Sequence, residues 1–288
     1  MAVAPNVRHV RSIQQSVAIV QAHDILVSLN SPVRPSRRVM DDSGQRTGAE
    51  HLVPINRYKT LGVLGGMGPM ATVDFLAKIV SLTAAARDQD HLPIIVHSAP
   101  EIPDRSSAIL SHSDAPLPCL LRALKVLEQA GAEVIAMPCN TAHYWHQELA
   151  RSSNRQFLHI VDAVAAKLRD KRCRKVGLLA RSGTLASGVY SRRLGDAVDE
   201  ILTPEPSHQE QIDAVIDDVK AGRRWSSAGI DAVETLRVRG AEYVILGCTE
   251  LPIAFAGTDI QSHCLDATAA LAEACIIACG GRLGGTGH

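Results

Sequence analysis

Aromatic side chains are scarce, at 3% of 288 residues. The chain is nevertheless 46% apolar, so its core has to be built from Ala, Val, Leu and Ile. Those residues suit helices laid on a parallel sheet, whose buried strands read as near-continuous aliphatic runs. An excess of charge is missing too: Lys plus Arg equals Asp plus Glu, at 30 each. Without a net field, neither nucleic acid nor a membrane surface is expected as a partner, although a local anion site stays open. No apolar stretch approaches the roughly 18–20 residues of a membrane-crossing helix. The seven cysteines (119, 139, 173, 248, 264, 275 and 279) contain no C-x-x-C pair. An odd count without that spacing argues against a disulfide framework and a zinc ribbon. No continuous apolar signal region opens the chain, so a reducing, cytoplasmic setting is expected. Cys275 and Cys279, four apart in an Ala-rich segment, read as small residues packed on one helix face. The twelve histidines show no ligand-spaced cluster, so no metal is expected.

Residues 1–58 differ from the rest. They carry seven Arg against four acids, and the runs SPVRPSRR from Ser31 to Arg38 and DDSGQRTG from Asp41 to Gly48 are turn and linker chemistry. Ile13 to Leu29 has the spacing of one amphipathic helix. This segment reads as an N-terminal extension to which no chemistry is assigned. From Lys59 the pattern becomes strand, helix, strand, helix, strand. Thr60–Leu64 is an aliphatic strand before the run GGMGPMA from Gly65 to Ala71, and Thr72–Val80 has helical spacing. His91–His97 is a strand, Pro118–Gly131 an amphipathic helix, and Glu133–Met137 a strand ending at Cys139. The order recurs downstream. Lys175–Ala180 is a strand with Arg181-Ser182-Gly183-Thr184 as its loop. Gln209–Lys220 and Ser226–Arg239 are helical, and Tyr243–Leu246 is a strand ending at Cys248.

The halves superpose by eye: 177 − 62 and 183 − 68 both give 115 for the matched glycines. The tripeptides Gly131-Ala132-Glu133 and Gly240-Ala241-Glu242 match as well, each glycine eight residues before its cysteine. The pattern predicts two pseudo-symmetric α/β lobes with parallel sheets, 59–168 and 169–252. A C-terminal helix and Gly-rich tail, 253–288, would pack back on the first lobe. Ligands bind beyond the carboxyl ends of parallel strands. Facing lobes would therefore bring Cys139 and Cys248 to opposite walls of one cleft.

Two thiols across a cleft make chemical sense. Inverting a carbon that bears a weakly acidic hydrogen needs a base on one face and an acid on the other. The roles swap in the reverse direction, so an identical pair is suitable. A free thiol titrates near ~8.5 and can be tuned toward neutrality. Each cysteine ends a strand and reads as opening a helix, whose N-terminus would favour a thiolate. The N–H groups there, with Asn140, Thr141 and Thr249, can hold a carboxylate. A dense donor array also stabilises the charge that builds up as the proton leaves.

Four runs together resemble the aspartate/glutamate racemases that work without pyridoxal phosphate. They are GGMGPMAT from Gly65 to Thr72, IPDRS from Ile102 to Ser106, PCNTAH from Pro138 to His143 and LGCTELP from Leu246 to Pro252. The resemblance spans about Lys59 to Cys279. It implies a two-lobed α/β fold, no cofactor, an amino-acid substrate, and commonly a homodimer. It makes Cys139 and Cys248 the two bases and Arg105 the residue that binds the substrate carboxylate. Asn140, Thr141 and Thr249 would surround the α-carboxylate and amino group, with Gly66 and Met67 lining the loop. Thr184 matches the second-half loop, and Lys220 resembles a lysine that helps bind the acidic side chain. Glu250 would stabilise the ammonium group, orient a thiol, or simply cap a helix. His143 reads as a donor behind the site or as a packed ring. Ser106 and Ser107 stand where a threonine is usual, and Arg181 where a small or hydroxyl residue is usual. That cation would either favour an acidic substrate or turn to solvent.

Other readings are weaker. Gly66, Gly68 and Ala71 after a strand, with Asp88 and Asp90 further on, fit a loose dinucleotide pattern but leave both cysteines unexplained. Maleate isomerase, hydantoin racemase and arylmalonate decarboxylase chemistries share these cysteine positions. Two intact cysteines argue against the single-cysteine decarboxylase, and Arg105 with C-N-T and C-T-E favours an amino dicarboxylic acid. A non-catalytic amino-acid-binding protein would need the same anion sites.

Overall fold

The computed structural model describes residues 57–223 and 228–284. The expected extension, apart from Arg57 and Tyr58, and the first residues of the expected Ser226 helix lie outside the described residues. The first lobe is a four-stranded parallel sheet. β1 (Leu61–Gly65) lies between β2 (Ile94–Ser98) and β3 (Val134–Ala136), and β4 (Gln156–Phe157) adds an edge beyond β3. All of β1 and β3 is buried, as aliphatic runs in a two-sided sheet must be. Its helices are α1 (Pro69–Leu82), α2 (Arg105–Leu110), α3 (Pro116–Gln129), α4 (His146–Arg151) and α5 (Ile160–Asp170). Proline opens α1 and α3, where its fixed φ fits and its missing N–H costs nothing.

The second lobe repeats the plan with β5 (Lys175–Leu179), β6 (Glu200–Leu202), β7 (Tyr243–Leu246) and β8 (Cys264–Asp266). The order is β6-β5-β7-β8, all parallel, the same as β2-β1-β3-β4. Its helices are α6 (Ser182–Ser187), α7 (Val189–Leu194), α8 (Pro206–Lys220), α9 (Ala228–Val238), α10 (Leu251–Ala254) and α11 (Ala267–Ala278). The expected pair of parallel α/β lobes is therefore the fold. Two local expectations change. Residues 181–184 are not only a loop, since α6 begins at Ser182. The second sheet also takes its fourth strand, β8, from beyond residue 252, within the segment expected to belong to the C-terminal helix. That helix, α11, starts after Asp266, whose carboxylate accepts from the Thr268 and Ala269 amides. It then packs against α1 and α5.

The repeated Gly-Ala-Glu has a structural cause. Gly131 and Gly240 hold left-handed φ values of 97° and 101°, which glycine adopts without penalty, and they turn the chain out of α3 and α9. The glutamates then tie the start of each central strand. Glu133 accepts from the Thr60 amide at 2.9 Å, and Glu242 accepts from the Arg174 and Lys175 amides at 2.8 and 2.9 Å. The matched strand glycines are equally constrained. A β-carbon on Gly62 would stand 2.6 Å from Ala132, and one on Gly177 would stand 2.9 Å from Leu236. One aliphatic core, running from Phe75 and Val161 to Val176 and Leu271, joins the lobes, while each sheet covers a smaller core on its far face. Cys275 and Cys279 are buried free thiols in the shared core.

Gly62→Ala presses a β-carbon into the side chains of Ala132 and Ile135, which leave it no room. It is expected to cost about 1–3 kcal/mol, read as a lower urea midpoint with unchanged slope.

Candidate active site

In this strand order the chain leaves the first strand to one side and returns on the other. A crevice opens between the carboxyl ends of the first and third strands. β1 and β3 form it in the first lobe, β5 and β7 in the second. Met67, Cys139, Arg181 and Cys248 follow those four strand ends, and all four line one cavity. Asp104, Arg105, Ser106, Asn140, Thr141, Lys220, Thr249 and Glu250 complete its wall. The interior leaves about 10 Å³, roughly the room for one water.

Both thiols are nearly buried, Cys139 at 5% exposure and Cys248 at 6%. The Cys139 carbonyl accepts from His143 Nδ1 at 2.9 Å, and His143 Nε2 accepts from the Ile160 amide at 3.1 Å. His143 is therefore a ring that braces the cysteine segment. Burial, with the neighbouring His146 second, pushes its pKa down to about 3. Cys248 donates to Glu250 Oε2 at 3.0 Å, and the Thr249 hydroxyl donates to the same oxygen at 3.1 Å. Glu250 Oε1 is buried and has no hydrogen-bond partner among the described residues.

The expected helix starts behind the cysteines are weak. Cys139 leads through Asn140 into a 3-10 segment, Thr141–Trp145, and Cys248 leads to α10, which is four residues long. Neither supplies the stacked peptide dipoles of a long helix. At Cys248 other forces win: burial first, then the Glu250 carboxylate, push the thiol pKa well above its ordinary value, and Lys220 opposes them. Cys248 is thus a thiol in this closed arrangement, not the thiolate that the sequence led us to expect.

Arg105 is 8% exposed. Its guanidinium donates to the carbonyls of Ile102 (3.0 Å), Pro103 (3.2 Å) and Met67 (3.3 Å), and its Nε is unpartnered. No carboxylate lies within ion-pairing distance of it among the described residues. Arg181 differs, because Asp213 and Asp217 hold it at 3.7 and 2.5 Å. Its charge is offset although it reaches the cavity. Lys220 is exposed at the rim and has no ion pair among those residues.

Two expected contacts lie elsewhere. Thr184 does not line the cavity; its hydroxyl meets that of Thr141 across the lobes at 2.7 Å. Gly66 sits behind Met67, where its amide donates to Thr72 Oγ1 at 2.8 Å and its φ is 90°. Two further cross-lobe bonds join them: Tyr190 OH to Asn140 Oδ1 at 2.6 Å, and the Gly183 amide to Ser106 Oγ at 2.9 Å. Sequence reasoning missed Tyr190 and Asp104. Asp104 had a local signal, since its carboxylate caps α2 through the Ser107 amide at 2.7 Å. Tyr190 had none, because its partner lies 50 positions away in the other lobe.

Two like lobes each deliver a thiol to one cavity. The chain belongs to the Asp/Glu/Hydantoin racemase family, whose sequence profile matches residues 64–275. The broad specificity amino-acid racemase RacX of Bacillus subtilis is 25% identical over 222 residues, covering 75% of this chain and 96% of that protein. An aspartate racemase from Picrophilus torridus is 33% identical with a TM-score of 0.67, covering 78% of this chain and 96% of the other. An aspartate racemase homologue from Pyrococcus horikoshii is 26% identical with a TM-score of 0.64, covering 77% and 99%. The family supports a racemase acting on amino acids.

Glu250→Gln removes the charge beside Cys248 and keeps an acceptor. The pH midpoint for alkylation of Cys248 by iodoacetamide should move down, followed by mass spectrometry of the modified peptide. An unmoved midpoint would show that Glu250 does not hold the proton on Cys248.

Proposed function

We propose that the chain is a cofactor-independent racemase of an acidic amino acid, aspartate or glutamate, using Cys139 and Cys248 as a two-base pair. One observation carries the reading. The cavity with a thiol from each lobe also contains a buried guanidinium that forms no ion pair among the described residues, although Asp104 and Glu250 share its wall. A buried cation without a counter-ion is costly, so Arg105 is suited to a substrate carboxylate. Lys220 at the rim would take the second carboxylate. Asn140, Thr141 and Thr249 would hold the α-carboxylate and amino group, Gly66 and Met67 would shape the loop, and Thr184 would act through Thr141. Glu250 would orient the Cys248 thiol.

The steps balance without another reactant. One sulfur, as thiolate, takes the α-proton, and the electron pair left on carbon delocalises into the carboxylate held by Arg105. The opposite thiol gives its proton to the other face and becomes the thiolate. The pair ends with its roles exchanged, ready for the reverse reaction. With Glu250 at 3.0 Å, Cys248 starts as the thiol in this arrangement. That leaves the base role in that direction to Cys139. Arg105 and Lys220, neither of them ion-paired among the described residues, favour a dicarboxylate over a hydantoin. Assembly as a homodimer, implied by the resemblance, belongs to the same proposal. No helix among the described residues is long and apolar enough to cross a membrane.

Cys139→Ala and Cys248→Ala are each expected to lower racemisation by about 100- to 10 000-fold. Either variant can keep α-proton exchange from one enantiomer in heavy water. The readout is polarimetry beside proton NMR of L- and D-aspartate and glutamate. Normal racemisation by both variants would end the assignment, and no exchange by the unaltered chain with any acidic amino acid would point to a binding protein. Arg105→Ala should raise KM for acidic substrates by about 10- to 100-fold, as loss of a charged hydrogen-bond pair predicts. An unchanged KM in a variant that melts normally would remove Arg105 from substrate binding.

A further inference from the structure

A second, larger cavity opens on the far side of the Cys139 segment. It holds about 520 Å³, within the usual range for small-molecule sites. Its lining joins both lobes, with His143, His146, Arg151 and His159 from the first and Arg192 and Arg193 from the second. None of these residues lines the cavity between the two cysteines.

The three histidines form one floor. The rings of His143 and His146 stack at 5.6 Å, and His159 sets its edge against each at 4.6 Å. All three are at least nine-tenths buried, at 2%, 8% and 6% exposure. Their hydrogen bonds fix which nitrogens are spoken for. His143 uses both, as described above. His159 Nδ1 accepts from the Val161 amide at 3.1 Å, which puts the proton of a neutral ring on Nε2. His146 Nε2 faces the Phe157 carbonyl at 3.3 Å. Neither His159 Nε2 nor His146 Nδ1 has a hydrogen-bond partner among the described residues. These are polar atoms of two buried rings, on the wall of an open cavity, with nothing of the protein to bind.

The arginines divide in the same way. Arg193 is committed, with its fork on both oxygens of Asp162 and Nη2–Oδ2 at 2.7 Å. Arg151 and Arg192 are exposed and form no ion pair among the described residues. The lining carries no Asp or Glu. Free cations at the mouth and unused imidazole nitrogens on the floor suit an oxyanion, which accepts from both. A metal is a poor fit, since no grouping of His, Cys, Asp and Glu among the described residues has the arrangement to hold one.

We propose that this cavity is a binding site for a small oxyanion-bearing molecule, phosphate or carboxylate, held by Arg151, Arg192, His159 and His146. His159 Nε2–H donates directly, and His146 Nδ1 becomes a second donor when the ring takes up a proton. Burial, followed by the neighbouring rings or Arg193, lowers the pKa of both rings, so the floor is uncharged when no anion is bound. The proposal stands apart from the racemase reading, because its test reads binding alone.

The test is a titration of the full chain, 15N-labelled at histidine, with inorganic phosphate and separately with acetate. The ring signals of His146 and His159 should move saturably, with half-saturation in the millimolar range or below. A response to phosphate alone identifies a phosphoryl ligand, and a response to both identifies oxyanions in general. Arg151→Ala combined with Arg192→Ala should raise the half-saturation about tenfold or more, with an unchanged melting temperature. Arg105→Ala, which empties the other cavity of its buried cation, should leave the titration as it was. Signals that do not move with either anion would overturn the site. So would equal responses from the double-arginine variant and the parent chain, or loss of the response in Arg105→Ala.

Discussion

Two parallel sheets of the same strand order face each other with their crevices on one cavity, and the rest of the site follows from that meeting. The proposed two-base inversion needs a proton carrier on each face of the carbon, and one lobe alone has one crevice. Gly62 and Gly177 let a helix lie close over each central strand. Glu133 and Glu242 then fix where each strand begins. With the strand start and the helix distance set alike in both lobes, the residue after the third strand falls at the same place in each. Those residues are Cys139 and Cys248. The duplicated glycine and glutamate are thus framing residues, and the duplicated cysteines are what the frame presents.

Much of this was readable before any coordinates, and the parts that were not share a cause. β1, β3, β5 and β7 are buried on both faces, so their sequences had to be aliphatic runs. β4 and β8 are edge strands of two and three residues, too short to show a period. β8 also carries Cys264 and Asp266 at its ends and merges by sequence into the apolar α11. The cysteines and Glu250 stood out because their residue types are unusual just after such runs, and Arg105 through the IPDRS run that carries the resemblance. Tyr190 and the real partner of Thr184 did not, since those contacts form only once the lobes are together. The protonation of Cys248 was misjudged for a related reason. Helix dipoles can be guessed from a pattern, whereas burial and the distance to Glu250 belong to the tertiary structure.

The cations around the cavity show how the same residue type takes different roles. Arg181 looked from its position like an added positive charge, but Asp213 and Asp217 neutralise it. Arg105 hydrogen-bonds only to neutral carbonyls, which orient the guanidinium without cancelling its charge. The cavity wall therefore sets Arg105 and Lys220 against Asp104 and Glu250. Glu250 sits on the Cys248 side, where it favours the protonated sulfur. This asymmetry distinguishes two otherwise matched lobes, and it gives the chemically identical pair a defined starting state.

The closed cavity has no room for an amino acid, so the lobes must part to admit one. Besides the charged pair of Arg193 with Asp162, the polar latch between them has three neutral hydrogen bonds: Tyr190 to Asn140, Thr141 to Thr184, and Gly183 to Ser106. Each is worth only about 1 kcal/mol net, because water replaces the partner on opening. The core shared through α5 and α11 also takes in Tyr190, so that latch residue is anchored in the same core that joins the lobes. Asn140 and Thr141 are both latch residues and substrate-binding candidates. Across the lobes Asn140 Oδ1 and the Thr141 hydroxyl have partners, while Asn140 Nδ2 is buried with none among the described residues. A ligand that replaces those bonds and also neutralises Arg105 gains what a water-filled cleft cannot offer. Under the proposed two-thiol reaction, lobes closed around such a ligand would leave a dry space, where proton transfer between sulfur and carbon meets least competition from solvent.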